Sequence, residues 1–488
     1  MKRSQFILIG LILLIGLFFR SYQVVERFEF AHDGDLYSWI VKDVVVNHHS
    51  RLIGQLTSAP GIFIGSLFYY LLIPFFLLSN MDPIGVVLLG IFVGIFTILS
   101  YYFTLSKLFN RSVGIFAAFL QAVLIPTIGF DRWIVPTLPT KLWAIWYLYS
   151  LIMISRGNFS TLPILGILIG LIWQIHLALF PALLALPVAL FLSHKKPPLK
   201  QMLFFLATFF ITSTPLILFE MRHNFMQSLS LTANLTEGGV GENGFPKLIQ
   251  VLNMVAKNTS SLLQPYSLPE NMRLLFLFLI VALTFILIKN KLLKVGEVII
   301  LLAWFLGVVS FFSFSHTSIS EYYFSNLEII FITIISLLLT LLVKSSKLGL
   351  ILIVTLLFIV FIKNFFFFIS LNTYNVGYVD RKATVDFIAQ DANSRAFPCF
   401  GITYITRVGD NVGFRYFLYL KNQHLVHPSL NVPVYNIVIP SELSSEVKQK
   451  FGHIGIIPPT NIPSKEIVEK SCQTPNTNLT DSLFGYVE

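Results

Sequence analysis

Three aspartates stand close together in "FEFAHDGDLYSWIVKD" (28–43), within a chain otherwise dominated by Leu, Ile and Phe. A carboxylate held at a membrane edge can take a proton from an attacking nucleophile. After Gly34, apolar residues fall at 36, 39, 40 and 44, the spacing of an amphipathic helix lying along the interface. Asp35 is expected at the N-cap of that helix, accepting a backbone N–H, and Asp43 on its solvated face. Asp33 precedes the cap and is the carboxylate left over for chemistry, or else for a turn.

Other polar residues gather in short stretches. "FDRWIVP" (130–136) carries Arg132, whose planar, always charged fork suits a phosphate and equally suits Asp131 or a lipid headgroup. "LFEMRHNF" (218–225) offers Glu220 and Arg222, and "SHTSISEYY" (315–323) offers His316 and Glu321. "WQIHLALFP" (173–181) sets Gln174 and His176 among apolar neighbours. In "RLIGQLTSAPGIFIGSLFYYLLIP" (51–74), glycines and Pro60 permit close backbone approach. Tyr69 and Tyr70 in that stretch line a cavity or belong to an aromatic belt. Each set has a plain alternative, as interfacial anchors or as a satisfied buried histidine.

These residues need elements to hold them, and composition names the class. Of 488 residues, 55% are hydrophobic and 12% charged, with a mean hydropathy of +0.76. Repeated apolar runs of about twenty residues fit a membrane. The start, "MKRSQFILIGLILLIGLFF", has no small-residue cleavage site after it and reads as a retained first helix. The net charge of +10 belongs to residues 1–370, because 371–488 carry equal numbers of acids and bases. It sits in short connectors such as "HKKPPLK", "KNKLLK" and "KSSK", which the positive-inside rule places in the cytoplasm. Basic residues scattered over separate turns form no nucleic-acid footprint.

With those connectors inside, eleven spans alternate without conflict, near 5–23, 84–106, 113–129, 137–155, 161–176, 177–193, 201–219, 273–289, 296–314, 323–343 and 347–369. The apolar segment 65–79 is read as re-entrant or interfacial, and the tight boundary at 176/177 as a pair of partly broken helices. The fold class expected is thus a polytopic α-helical membrane protein. Residues 1–370 form its membrane domain, including a first outer loop at 24–83, and 371–488 form a small extracytoplasmic α/β domain. In that domain "RKATVDFIAQDA" reads as a helix, and runs such as "FRYFLYL" and "VPVYNIVIP" supply the apolar core, with short strands. Cys399 and Cys472 are either a disulfide or two buried thiols.

The candidate residues all fall at the outer ends of spans, whereas a channel or transporter would place ionisable groups near the midplane. That suits an active site reached by a lipid from the bilayer and by a polar partner from water.

The chain resembles the GT-C superfamily of membrane glycosyltransferases, in particular the bacterial branch of the protein O-mannosyltransferase and aminoarabinose-transferase type. "FAHDGDLYSW", "LIGQLTSAPGIFIGSLFYYLLIPFFLLSNMDP", "FDRWIVPTL" and "LIWQIHLALFPALL" carry the resemblance in order over about the first 230 residues, with "TPLILFEMRHNF" in support. It implies a sugar donor linked through phosphate to a polyprenol, with Asp33 as catalytic base and Arg132 as phosphate ligand, joined by Arg222. Members usually carry Asp-Glu in the first loop; here Gly34 follows Asp33, and the second acid, Asp35, is the catalytic candidate for the glutamate's role. The remaining expected cavity residues are Tyr69, Tyr70, Gln174, His176, Glu220, His316 and Glu321. No cofactor is expected; Asp33, Asp35 and histidines are the only side chains on hand for a divalent metal. The partners implied are the polyprenyl-phosphate sugar, membrane lipids and an acceptor that is protein, lipid or glycan. Readings from other classes are a lipid-linked sugar flippase, which needs a polar path through the spans, and a non-catalytic membrane scaffold.

Overall fold

A helix of twenty residues is about 30 Å long, the thickness of a bilayer's hydrocarbon core. The computed structural model describes residues 3–57, 59–236, 244–263, 268–317, 319–374, 376–407 and 409–479. Among them six helices are long and apolar enough to cross a membrane: Pro83–Leu108, Leu199–Arg222, Glu270–Lys289, Val295–Phe314, Glu321–Ser345 and Lys347–Ser370. The pair Arg111–Val123 and Ile125–Arg132, bent by 63°, makes a seventh if counted as one span. Pro126 follows the break, at a first-turn position where its missing N–H costs nothing. The four other expected spans coincide with shorter apolar helices: Gln5–Ser21, Thr140–Ser155, Phe159–Ile175 and Leu177–Leu192. The segment read as re-entrant or interfacial contains a 12-residue helix, Leu67–Leu78, with Pro74 inside it. That length covers about 18 Å and falls short of a bilayer.

The described residues cluster into two compact units. The first comprises Met1–Tyr22, Leu52–Phe68 and Gly90–Leu371. Its centre is aromatic: Trp143 stacks on Tyr147 at 4.6 Å, and Tyr147 meets Trp304 edge-on at 5.1 Å. Each ring also finds a polar partner, Trp143 Nε1 donating to Leu168 O, Trp304 Nε1 to Asn326 Oδ1 and Tyr147 Oη to Ala182 O, as buried indoles and phenols require. Helix Leu162–Ile175 lies against Leu199–Arg222 through Gly166 and Gly170. A Cβ at Gly170 would stand 2.0 Å from Thr212 Oγ1, so this Gly-x-x-x-Gly is a close-packing seam.

The second unit comprises Gln23–Arg51, Tyr69–Leu89 and Asn372–Glu488. The first loop, 24–83, is thus divided between the two units. A four-stranded sheet runs in the spatial order Gly401–Thr406, Val434–Ile439, Ile454–Ile457, Gln449–Phe451. The first two strands are parallel, with Gly401 opposite Val434, and the others antiparallel. Helix Tyr378–Ser394, expected over 381–392, packs on the sheet, with Phe387 against Phe451 and Tyr435 Oη donating to Asp391. "VYNIVI" is a strand, whereas "FRYFLYL" is the helix Phe414–Leu420, entered through Gly413 at φ +89°, a backbone setting that only glycine adopts without strain. Cys399 and Cys472 form a disulfide, Cα–Cα 5.6 Å. Residues 480–488, part of the expected domain, and stretches of the loop 220–272 lie outside the described residues.

Candidate active site

The first-loop helix runs from His32 to Val46, with Ala31 as its N-cap and no side-chain cap bond. It therefore starts three residues before the expected cap. Asp33 and Asp35 both fall in its first turn, and Asp35 is no cap: it is buried, 3% exposed. Two residues along a helix turn the side chain by about 200°, so Asp33 points the other way, with its side chain 35% exposed and 4.0 Å from His32 Nδ1. The Asp33 charge is felt on both sides. Burial first, then Asp33, raises the Tyr37 phenol well above its ordinary range. Burial also raises the Glu29 carboxyl, with Asp33 adding to it against the Tyr374 hydrogen bond and Arg381.

Asp43 is not the solvated residue expected. Its carboxylate accepts from Asn47 Nδ2 at 2.9 Å and from Arg51 Nη2 at 2.7 Å, and stands 3.1 Å from His49 Nδ1. Burial alone would raise that carboxyl, but the Asn47 and Arg51 bonds with the nearby cations hold it below its ordinary value. Tyr70 closes the same loop, its hydroxyl accepting from Arg51 N and donating to Arg51 O. Tyr69 is buried.

In the other unit, Arg132 is anchored at the end of the first helix. Its Nη1 donates to the carbonyls of Phe19, Arg20 and Tyr22 at 3.1 to 3.2 Å, with the guanidinium over the Phe368 ring. Asp131 pairs with buried Arg20, which donates through Nε at 2.8 Å and also reaches the carbonyls of Gly16, Gln121 and Ala122. A second buried pair, Lys141 with Glu328 at 2.9 Å, went unread in the sequence. Both its members stand at the first residues of apolar runs, and pairing across distant segments leaves no local signal.

Glu220 and Gln174 act on backbone. Glu220 accepts from Gln227 N and Ser228 N, capping helix Met226–Thr236. Gln227 Oε1 then accepts from Phe63 N at 2.8 Å, and Gln174 Oε1 from Leu67 N at 3.1 Å. Together they grip the end of a small hairpin, Ile53–Leu56 paired with Phe63–Gly65. His176 stands in the break after helix Leu162–Ile175, its Nδ1 accepting from Ala178 N and its ring against Tyr322 and Tyr323. Glu321 pairs with Lys257, on the amphipathic helix Phe245–Leu263, while Lys247 of that helix donates to Ser315 O and Thr317 O. His316 is half-buried within the stretch so held, and Arg222 is exposed at the end of its helix. Among the described residues, no three His, Cys, Asp or Glu side chains are grouped to hold a metal ion.

No family model matches the sequence, and no curated protein matches it. Solved structures do. ArnT from Cupriavidus metallidurans bound to undecaprenyl phosphate matches with a TM-score of 0.60 at 9% identity, over 94% of this chain and 98% of its own. The same protein in the apo state gives 0.57 at 10% identity, over 93% and 97%. The oligosaccharyltransferase of Archaeoglobus fulgidus tethered with an acceptor peptide containing the NVT sequon gives 0.51 at 12% identity, over 89% and 69%. The chain thus has the fold of the GT-C membrane glycosyltransferases.

Proposed function

We propose that the protein is a glycosyltransferase that moves a hexosyl or pentosyl group from a polyprenyl-phosphate donor to an acceptor at the outer face of the cytoplasmic membrane. The observation that carries this reading is an accessible Asp33 on the first-loop helix of a GT-C fold. The eleven-span layout belongs to the proposal, as does the division into a membrane domain, 1–370, and an extracytoplasmic α/β domain, 371–488. The Cys399–Cys472 disulfide supports the outer placement, since such bonds persist in oxidising compartments.

In the proposed step the acceptor nucleophile attacks the anomeric carbon as the bond from that carbon to the phosphate oxygen breaks. Asp33 takes the acceptor's proton, and polyprenyl phosphate leaves with the electron pair. Phosphate is already a good leaving group, so a second carboxyl acid of the glycosidase type is not needed. One direct displacement inverts the anomeric centre. Cations stabilise the charge that develops on the phosphate, and Arg132 and Arg222 are assigned that role. Arg222 is exposed at its helix end, whereas Arg132 donates through Nη1 to backbone carbonyls. The acceptor is a protein, lipid or glycan.

Asp33→Asn keeps the shape of the side chain and removes its basicity. Transfer by the purified, folded variant should fall by about a hundredfold or more, while donor binding stays close to wild type. Release of polyprenyl phosphate from lipid-linked sugars is the readout, and full activity in this variant would sink the base assignment.

A further inference from the structure

In the first-loop helix His32–Val46, every residue from Gly34 to Lys42 is buried, while Asp33 keeps a third of its side chain exposed. At about 100° per residue, Asp35, Trp39 and Lys42 share one face of this helix, and Asp33 stands on the opposite one. Trp39 and Lys42 are seated on the short helix Phe414–Leu420 of the same compact unit. Trp39, 2% exposed, meets Tyr416 edge-on at 5.3 Å and Tyr419 at 5.7 Å. Lys42 Nζ stands 5.3 Å from the Tyr419 ring centre, a cation on an aromatic face. Just before the helix starts, Phe30 packs on Phe417 at 4.9 Å.

The seat is itself held. Tyr416 is fully buried, and its hydroxyl donates to Met81 O at 2.8 Å. Phe76 closes the other side, meeting Tyr37 edge-on at 6.2 Å and Tyr416 at 6.5 Å. The first-loop helix is thus gripped through Trp39 on one side and Tyr37 on another, and close-packed rings do not let it roll without being displaced. The roll matters because Asp33 rides on it. Turning a helix of radius about 5–6 Å by about 20° swings a side chain at its rim by about 2 Å. A misplacement of about 1 Å can already cost about a hundredfold in rate.

We infer that Tyr416 and Tyr419 are positioning residues for the first-loop helix: by seating Trp39 and Lys42 they fix its roll and so aim Asp33. The inference deepens the reading of Asp33 as base and rests on it. It gives the C-terminal segment a part in the chemistry, since the rings that set the first-loop carboxylate come from residues 416 and 419.

The test uses full-length protein in lipid nanodiscs, with Tyr416→Ala and with Tyr419→Ala, whose half-buried ring is less costly to remove. One readout needs no transfer. Both native cysteines are joined in the disulfide, so Asp33→Cys or Gln449→Cys each installs one free thiol, the second on an exposed strand of the same unit. In the tyrosine variants the alkylation rate at position 33 should shift by about threefold or more as its exposure changes, while that at 449 stays constant. Transfer kinetics give the second readout. Either alanine variant should lower kcat by about tenfold or more, with donor KM little changed, and should add no further loss in the Asp33→Asn background. Tyr416→Phe, which keeps the ring, should retain most of the kcat. Unchanged labelling at 33, or equal shifts at 33 and 449, would overturn the control of roll. Shifted labelling at 33 with unchanged kcat, or a loss of the same size in Asp33→Asn, would overturn the aiming of the base. Absence of transfer by the wild-type protein from any lipid-phosphate sugar would strike the proposed function while leaving the labelling result readable.

Discussion

Position 34 shows how one side chain decides what its neighbours can be. Where the resemblance leads one to expect an Asp-Glu pair, this chain has Asp33 followed by Gly34. The Phe30 ring lies where that side chain would begin, 2.7 Å from a built Cβ, and it is itself buried against Tyr378 and Phe417. The second acid is displaced by one residue to Asp35, on the buried side of the helix. Alanine at a helical position ordinarily gains about 1 kcal/mol over glycine, yet overpacking a filled core costs about 1–3 kcal/mol. Gly34→Ala should therefore come out net destabilising in thermal unfolding, and Phe30→Leu in the same chain should recover part of the loss. A Gly34→Ala protein as stable as wild type would mean the ring yields freely. The expected cap at Asp35 failed for a related reason. A carboxylate before an apolar run has the local pattern of a cap, and nothing local records that helix Tyr378–Ser394 arrives beside this loop, with Tyr378 N donating to Phe28 O.

At the scale of elements, the hairpin 53–65 shows two helices, Leu162–Ile175 and Met226–Thr236, tied to one short piece of chain. Two glutamines from distant segments accept its backbone N–H groups, at Phe63 and Leu67, and Gln227 is fully buried. Losing a buried acceptor leaves a donor unsatisfied at about 1–3 kcal/mol. Gln227→Ala should raise hydrogen exchange at the amides of 53–66 by roughly one to two orders of magnitude, with protection in helix Leu199–Arg222 unchanged. Equal protection in the hairpin would show that the strands hold themselves. The long spans were legible because twenty apolar residues have few other uses, and the break at 176 because Gln174, His176 and Pro181 interrupt such a run. The hairpin grip and the Lys141–Glu328 pair were not legible. Each joins residues more than a hundred positions apart, and single-sequence periodicity records nothing at that range. Glu220 was picked out as a polar group at a span exit, but its work as a helix cap depends on where the chain turns after His223.

For the molecule as a whole, composition shifts near 370, and one compact unit draws on stretches from both sides of that point. Gln23–Arg51 and Tyr69–Leu89 join Asn372–Glu488 in one unit. Asp82 illustrates how: it accepts from Tyr378 Oη at 2.8 Å and pairs with Lys382 at 2.6 Å, while Tyr416 Oη donates to Met81 O. A unit made of separate stretches should loosen as one when a long-range tie is cut. The Cys399–Cys472 bond closes 73 residues, a loop for which the chain-entropy model gives about 4 kcal/mol. Replacing both cysteines by alanine should therefore increase protease cleavage within 23–51 and 372–479 together, leaving the long apolar helices as resistant as before. Cleavage confined to the neighbourhood of 399 and 472 would mean that the first-loop stretches keep their fold independently. Cleavage spreading through both sets would bear on chemistry as well, because the turn that carries Asp33 would then share its stability with the disulfide.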